Sequence, residues 1–343
     1  ADAWEEASEI LSSYGEPHGY LPLREAIAER MTARGVPGVD PEYVFITNGS
    51  QQGLDLSARA LFDPGDVVIV EGPTYFGAIQ AFDAYQVRYL IAPVDDQGID
   101  PDQLEPLLHS TPRPKALYTV PSFQNPTGVT LSQERRQRIA AMAREANVAI
   151  IEDDPYSEIY FGAEPAQPFR ALDEDIIYLG TFSKTLAPAL RMGWMVVPPK
   201  IFDPIANSKE AVDLLSDKFV QRAVYRTMSD GWLDHHLLEA RAFYRRQRDQ
   251  MLAALEREMP PGVRWTTPEG GFFTWVTLPG SLTSEELLAR SLAHHVGFYP
   301  GSCFFPEPVP HPGFRMSYPT LPHETIDEGV RRIGLAAREL LDR

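Results

Sequence analysis

The chain has 343 residues, 43% hydrophobic and 23% charged, with 48 acidic against 31 basic side chains and a net charge of −17. That is the composition of a globular protein with a sizeable core, and its acidity argues against a nucleic-acid partner, whose phosphates it would repel. No run approaches the roughly 18 apolar residues of a membrane helix, and no basic stretch followed by an apolar one opens the chain, so neither a membrane span nor a signal peptide is expected. The single cysteine, Cys303, leaves no internal disulfide, which suits a cytoplasmic setting. The sequence begins without methionine, at "ADAWEEASEILSSYG", and an N-terminal segment is expected to be missing.

Short β-rich runs follow in order at 43–47, 67–71, 87–94, 115–120, 148–153, 176–182 and 191–197. Several are almost wholly apolar, as in strands buried on both faces. Helical stretches such as "SQQGLDLSARALF" and "SQERRQRIAAMAREA" separate them, the second with Ser132 placed as its N-cap. Strands alternating with helices predict an α/β unit with a mostly parallel, seven-stranded sheet. Near Trp232 the rhythm changes to a long charged helix, a hairpin-like "VRWTTPEGGFFTWVTL", the helix "SEELLARSLAHH", a Pro-rich loop and a last helix. The chain therefore divides into a large unit, 1–232, and a smaller α+β unit, 233–343, opened by the long helix.

In an open α/β sheet, ligands bind beyond the carboxyl ends of the strands. At those ends stand "NGSQQGL" with Ser50 and Gln51, "GPTYFG" with Tyr75, "PSFQNPTG" with Asn125, "EDDPY" with Asp153 and Tyr156, and "TFSK" with Thr181, Ser183 and Lys184. Each fragment alone is an ordinary turn or cap. Together, and in order, they bring polar and aromatic groups to one crevice. Lys184 and Arg191 are also unusual in being cations flanked by apolar runs. Rival signatures fail: Ser183 precedes Lys184 where a phosphate loop needs glycine, and no Gly-x-Gly-x-x-Gly follows the first strand. His235, His236, His294 and His295 lack metal-ligand spacing and read as helix-surface residues. Cys303 reads as structural.

The stretches "YGEPHGYLPLREAIAERM", "ITNGSQQGLDL", "EGPTYFGA", "PSFQNPTGVTLS", "IIEDDPYSEIYF", "TFSKTLAPALRMGW" and "FRMSYP", spanning Tyr14 to Pro319, resemble the fold-type-I pyridoxal-phosphate enzymes. Within these they resemble the class I/II aminotransferases, in the branch of 2-aminoadipate-type enzymes and related transcriptional-regulator effector domains. The resemblance implies pyridoxal 5'-phosphate as cofactor, amino acids and 2-oxo acids as substrates, and a homodimer with shared sites. It implies that Lys184 carries the cofactor as an internal aldimine and then moves the proton. Arg191, Thr181, Ser183 and the backbone N–H groups of Ser50 and Gln51 would hold the phosphate, with Tyr14 reaching the partner's. Asp153 would pair with the ring nitrogen. Asp154 is the competitor, but the spacing to Tyr156 favours Asp153. Tyr156 and Asn125 would meet the ring's 3′-oxygen, and Tyr75 would stack on the ring. Arg315, with help from Asn125, would take the substrate carboxylate. Tyr20, Phe76 and Phe123 are candidates for the side-chain pocket. Transamination, another reaction at the same cofactor (β-elimination, decarboxylation or oxidation), and a sensing domain without catalysis all remain compatible with these motifs.

Overall fold

The computed structural model describes residues 14–341. Its larger sheet holds β1 (Val44–Thr47), β2 (Val67–Gly72), β3 (Arg88–Asp95), β4 (Gly98–Ile99), β5 (Pro114–Thr119), β6 (Ala149–Asp153), β7 (Ile177–Thr181) and β8 (Gly193–Val196). Their order is β1-β8-β7-β6-β5-β2-β3-β4. Neighbours β3, β2, β5, β6 and β7 run parallel, whereas β8 lies antiparallel between β7 and β1. The seven expected strands are all present. The eighth, β4, is a two-residue edge pair that folds back on β3 through Val94–Ile99 and Asp95–Gly98. It is too short to show a period, and Gly98 takes the turn at φ +92°.

The helices α1 (Leu21–Ala33), α2 (Ser50–Leu61), α3 (Phe76–Asp83), α4 (Pro101–Leu108), α5 (Gln133–Ala146), α6 (Phe202–Asp213) and α7 (Lys218–Ser229) accompany this sheet. Side chains alternate between two apolar layers. Val68, Val70 and Tyr118 join one cluster, while Ile69 and Leu117, from the same strands, join the other. Burial on both faces explains why β1 and β7 are buried at every position. Ser132 caps α5 as expected, its Oγ accepting from Arg135 N at 3.3 Å, and Asn147 closes that helix in the left-handed region.

The remainder forms the helix α8 (Trp232–Glu258) and an antiparallel sheet of β9 (Arg264–Trp265), β10 (Phe273–Thr277), β11 (Tyr299–Pro300) and β12 (Gly313–Ser317), with α9 (Ser284–Ala293) and α10 (His323–Leu341). The expected hairpin is the β9–β10 pair. A capping box between Thr283 and Glu286 starts α9. Helix α8 links the two sheets: Arg241 Nε donates to Glu158 O at 2.8 Å, and Gln247 Nε2 to Tyr318 O at 3.0 Å. Among the described residues no helix is long and apolar enough to cross a membrane.

Candidate active site

A cavity of about 280 Å³ opens where the carboxyl ends of the parallel strands meet the second sheet. Every residue singled out at the strand ends lines it: Ser50, Gln51, Tyr75, Asn125, Asp153, Tyr156, Thr181, Ser183 and Lys184. Arg191 lines it from the turn before β8, and Arg315 and Phe273 from β12 and β10. Tyr14 does not; its side chain is 85% exposed. Of the proposed side-chain contacts, only Phe76 reaches the cavity. Tyr20 packs edge-on to Tyr225 under the Arg222 guanidinium. Phe123 is buried against Gly270 and Gly271, where an added Cβ would come within 2.4 and 2.8 Å of it. Cys303, expected to be structural, is exposed.

One end of the cavity is built for an anion. Gly49, at φ +74°, precedes α2 and offers no side-chain cap, so the first N–H groups of a twelve-residue helix are left for a ligand. A Cβ on Gly49 would sit 2.6 Å from Arg191 Nη2. Arg191 itself has φ +50°, and this turn lays its guanidinium along the Asn48–Gly49 backbone, with a 3.5 Å contact to Asn48 O. The Thr181 hydroxyl is already engaged, accepting from Ser183 N at 3.1 Å and donating to Met192 O at 3.2 Å. The Ser183 hydroxyl is the one left without a partner.

At the end of β6, Tyr118 Oη donates to Asp153 Oδ2 at 2.9 Å, and Asp153 Oδ1 is buried and unpartnered. Burial pushes the Asp153 carboxyl up to about 7, against the opposing hydrogen bond from Tyr118. Asp154 faces the other way. Arg34 Nη2 reaches its Oδ2 at 3.0 Å, with Tyr178 Oη at 2.8 Å and Ser157 Oγ at 2.7 Å. Although burial opposes it, these partners, Arg34 foremost, hold the Asp154 carboxyl below its ordinary value. Burial lowers the Lys184 amine, Asp153 pulls the other way, and Arg191 and Arg315 add to the lowering. A less basic amine is closer to a nucleophile and proton carrier at neutral pH.

The far wall carries Arg315. Its Nη1 donates to Asn125 Oδ1 at 2.9 Å, and its Nε is buried and unpaired. Four rings surround the guanidinium: Phe273 at 4.2 Å, Tyr299 at 4.8 Å, Phe304 at 5.0 Å and Phe76 at 5.8 Å. Asn125 is held by the network below its loop. Glu71 accepts from Thr119 Oγ1 at 2.8 Å, Val120 N at 3.2 Å and Gln124 Nε2 at 3.0 Å, and Gln124 in turn accepts from Thr127 N at 2.9 Å.

The three unpaired polar atoms suit pyridoxal phosphate. Asp153 Oδ1 is an acceptor for a protonated ring nitrogen, Ser183 Oγ a donor to phosphate beside the helix N-terminus, and Arg315 Nε a donor to a carboxylate. Sequence reasoning missed Tyr118, Glu71, Phe273, Tyr299 and Phe304. The glutamate ending the apolar run "VVIVE" was the one visible sign of the Glu71 network.

This is the architecture of a fold-type-I enzyme that binds pyridoxal phosphate between a large parallel sheet and a smaller unit. The family model described as aminotransferase class I and II matches residues 2–333. Aromatic-amino-acid aminotransferase 1 of Thermococcus litoralis is 40% identical over 332 residues, 95% of this chain and 80% of that protein. The structure of Pyrococcus horikoshii kynurenine aminotransferase, in complex with PMP, KYN and KYA, is 39% identical with a TM-score of 0.94, covering 99% of this chain and 86% of that one. LysN, the α-aminoadipate aminotransferase of Thermus thermophilus complexed with N-(5'-phosphopyridoxyl)-L-leucine, is 40% identical with a TM-score of 0.92 over 99% of this chain and 86% of that one. HTH-type transcriptional regulators match more distantly, at 30–33% identity. The chain belongs to the class I and II aminotransferases. It is an aminotransferase, and its cofactor is pyridoxal phosphate.

Proposed function

We propose that this enzyme takes its amino group from an L-amino acid with a large apolar or aromatic side chain, or from a 2-aminoadipate-like donor, and passes it to 2-oxoglutarate. The observation that carries this reading is the ring of Phe76, Phe273, Tyr299 and Phe304 around Arg315. Phe76 and Phe273 also line the cavity, so a carboxylate drawn to that guanidinium meets aromatic faces, which favour flat or apolar side chains, with Tyr299 and Phe304 behind them. The solved relatives acting on kynurenine and α-aminoadipate support it by similarity.

The roles follow from the site. Arg315 and Asn125 bind and orient the donor's α-carboxylate. Arg191, Ser183 and the N–H groups of Ser50 and Gln51 would hold the cofactor phosphate, Thr181 would reach it by giving up its bond to Met192 O, and Tyr75 would lie by the ring. Asp153 would keep the ring nitrogen protonated, and Tyr156 and Asn125 would meet the ring's 3′-oxygen. When bound, pyridoxal phosphate supplies an electron sink for the pair released at the donor's α-carbon and a carbon that carries the amino group. Lys184 Nζ would hold the cofactor and move the proton to and from the donor's α-carbon. Residues 1–232 serve as the cofactor-binding unit and 233–343 as the unit contributing Arg315. The exposed Tyr14 reaches the phosphate of a second copy in a homodimer. The setting is cytoplasmic amino-acid metabolism.

The test measures glutamate formed from 2-oxoglutarate with a panel of L-amino acids. Phenylalanine, tyrosine, kynurenine, leucine and 2-aminoadipate should exceed alanine and aspartate in kcat/KM by roughly tenfold or more. A preference for alanine or aspartate overturns the donor class. Turnover without any 2-oxo acid moves the reading to another reaction at the same cofactor.

A further inference from the structure

Asp153 has two carboxylate oxygens in different situations. Oδ2 accepts from Tyr118 Oη at 2.9 Å, and Oδ1 has no partner. Tyr118 itself does not line the cavity. It is the penultimate residue of β5, where its side chain is fully buried and its ring meets Phe82 edge-on at 5.6 Å. Asp153, the last residue of β6, pairs across the sheet with Leu179 of β7, the strand that leads into Lys184. Its backbone is therefore fixed by the sheet, but a carboxylate can still rotate about its terminal torsion.

We propose that Tyr118 is a positioning residue for the cofactor: by occupying Oδ2 from behind the site, it locks the Asp153 carboxylate so that Oδ1 alone faces the ring nitrogen. This rests on the assignment of Asp153 to that nitrogen. A buried hydroxyl needs a partner, and that requirement would be met by many acceptors. Here the acceptor is the one carboxylate of the cavity whose other oxygen is unspent. Asp154 is held by a separate set of partners, Arg34, Ser157 and Tyr178, so Tyr118 is the sole side chain described as donating to Asp153.

The test is a double-mutant cycle on Tyr118→Phe and Asp153→Asn, read by equilibrium affinity for pyridoxal phosphate, by the visible absorption band of the bound cofactor, and by melting temperature. Loss of a hydrogen bond to a charged group predicts a drop in affinity of roughly tenfold or more for Tyr118→Phe, with a shifted band. In the Asp153→Asn background the same change should alter affinity less than about twofold and leave the band where Asp153→Asn put it. Tyr118→Met, which fills the volume without a donor, should reproduce both results if the phenylalanine variant does not fold. Equal losses in both backgrounds would make Tyr118 merely structural and overturn the proposal, as would full affinity and an unshifted band in Tyr118→Phe. If Asp153→Asn alone leaves affinity and band unchanged, the assignment of Asp153 fails, and that outcome is distinct from a failure of Tyr118.

Discussion

Asp153 and Asp154 are consecutive and both buried, yet Asp153 leaves Oδ1 without a partner whereas Asp154 spends its carboxylate on Arg34, Ser157 and Tyr178. The pair should therefore separate function from stability. Asp153→Asn is expected to lower kcat roughly a hundredfold or more, because it removes a charge placed for the transition state. Asp154→Asn leaves the Arg34 guanidinium with an incomplete partner in a buried setting, at a cost of about 3–5 kcal/mol in stability. Its activity per folded molecule should fall less. Kinetics and denaturant melts of both variants check this; the reverse ranking would mean that the two roles are exchanged.

The same carboxyl gives a pH signature in the cofactor-free protein. The folded Asp153 sits at about 7, above its ordinary 3.8, so the folded state keeps a proton that the unfolded chain has lost. Its contribution is most favourable below pH 3.8 and is lost as pH rises through the folded value. Glu71 and Glu152 are also pushed to about 7 by burial, so the wild type alone does not isolate Asp153. Asp153→Asn does: its melting temperature should exceed the wild type's by a margin that grows between about pH 4 and pH 7. A constant margin would show that Asp153 titrates normally.

Much of this site was legible because the strand ends carry their chemistry in sequence order, and each apolar run announces the strand that places it. Asp153 over Asp154 could be read from the spacing to Tyr156. What stayed hidden depends on contacts between segments distant in the chain. Tyr118 is one more large residue in the mostly buried run "KALYTV", and only the β5–β6 pairing brings its hydroxyl to Asp153. Tyr299 and Phe304 lead into a Pro-rich loop with no period; the β11–β12 pairing sets Tyr299 opposite Arg315, and the turn Gly301–Phe304 that follows brings Phe304 beside it. Phe123 reads as a plausible pocket residue, but its φ of +50° turns it toward Gly270 and Gly271.

Lys184→Ala should abolish multiple turnover while leaving the cofactor-free fold intact. The amine is lowered by burial and by two nearby arginines, so removing it takes away a desolvated cation and should not lower the melting temperature. Retained multiple-turnover activity would exclude Lys184 as the residue that holds the cofactor.

Gly49→Ala tests the anion site without replacing any polar side chain. The residue has φ +74°, and its Cβ would meet Arg191 Nη2 at 2.6 Å. Backbone strain and a displaced guanidinium together should weaken pyridoxal phosphate binding about tenfold or more, measured by titrating the cofactor-free protein. Free phosphate should lose affinity in parallel. Unchanged affinity would place the phosphate elsewhere in the cavity.

Arg315 and its ring of aromatics should divide donor binding into two separable parts. Arg315→Lys keeps a charge but loses the planar fork, and its ammonium would have to sit among Phe76, Phe273, Tyr299 and Phe304. The KM should rise roughly tenfold or more for every donor, with pyridoxal phosphate affinity unchanged. Tyr299→Ala opens the collar at its most exposed ring, 52% exposed in the structure, and leaves the Arg315 hydrogen bond to Asn125 in place. It should raise KM for phenylalanine and tyrosine by about tenfold while alanine changes little, so the preference between them narrows. Steady-state kinetics with phenylalanine and alanine on both variants distinguish the two effects. A uniform loss for Tyr299→Ala would mean that the ring supports Arg315 and does not select the side chain.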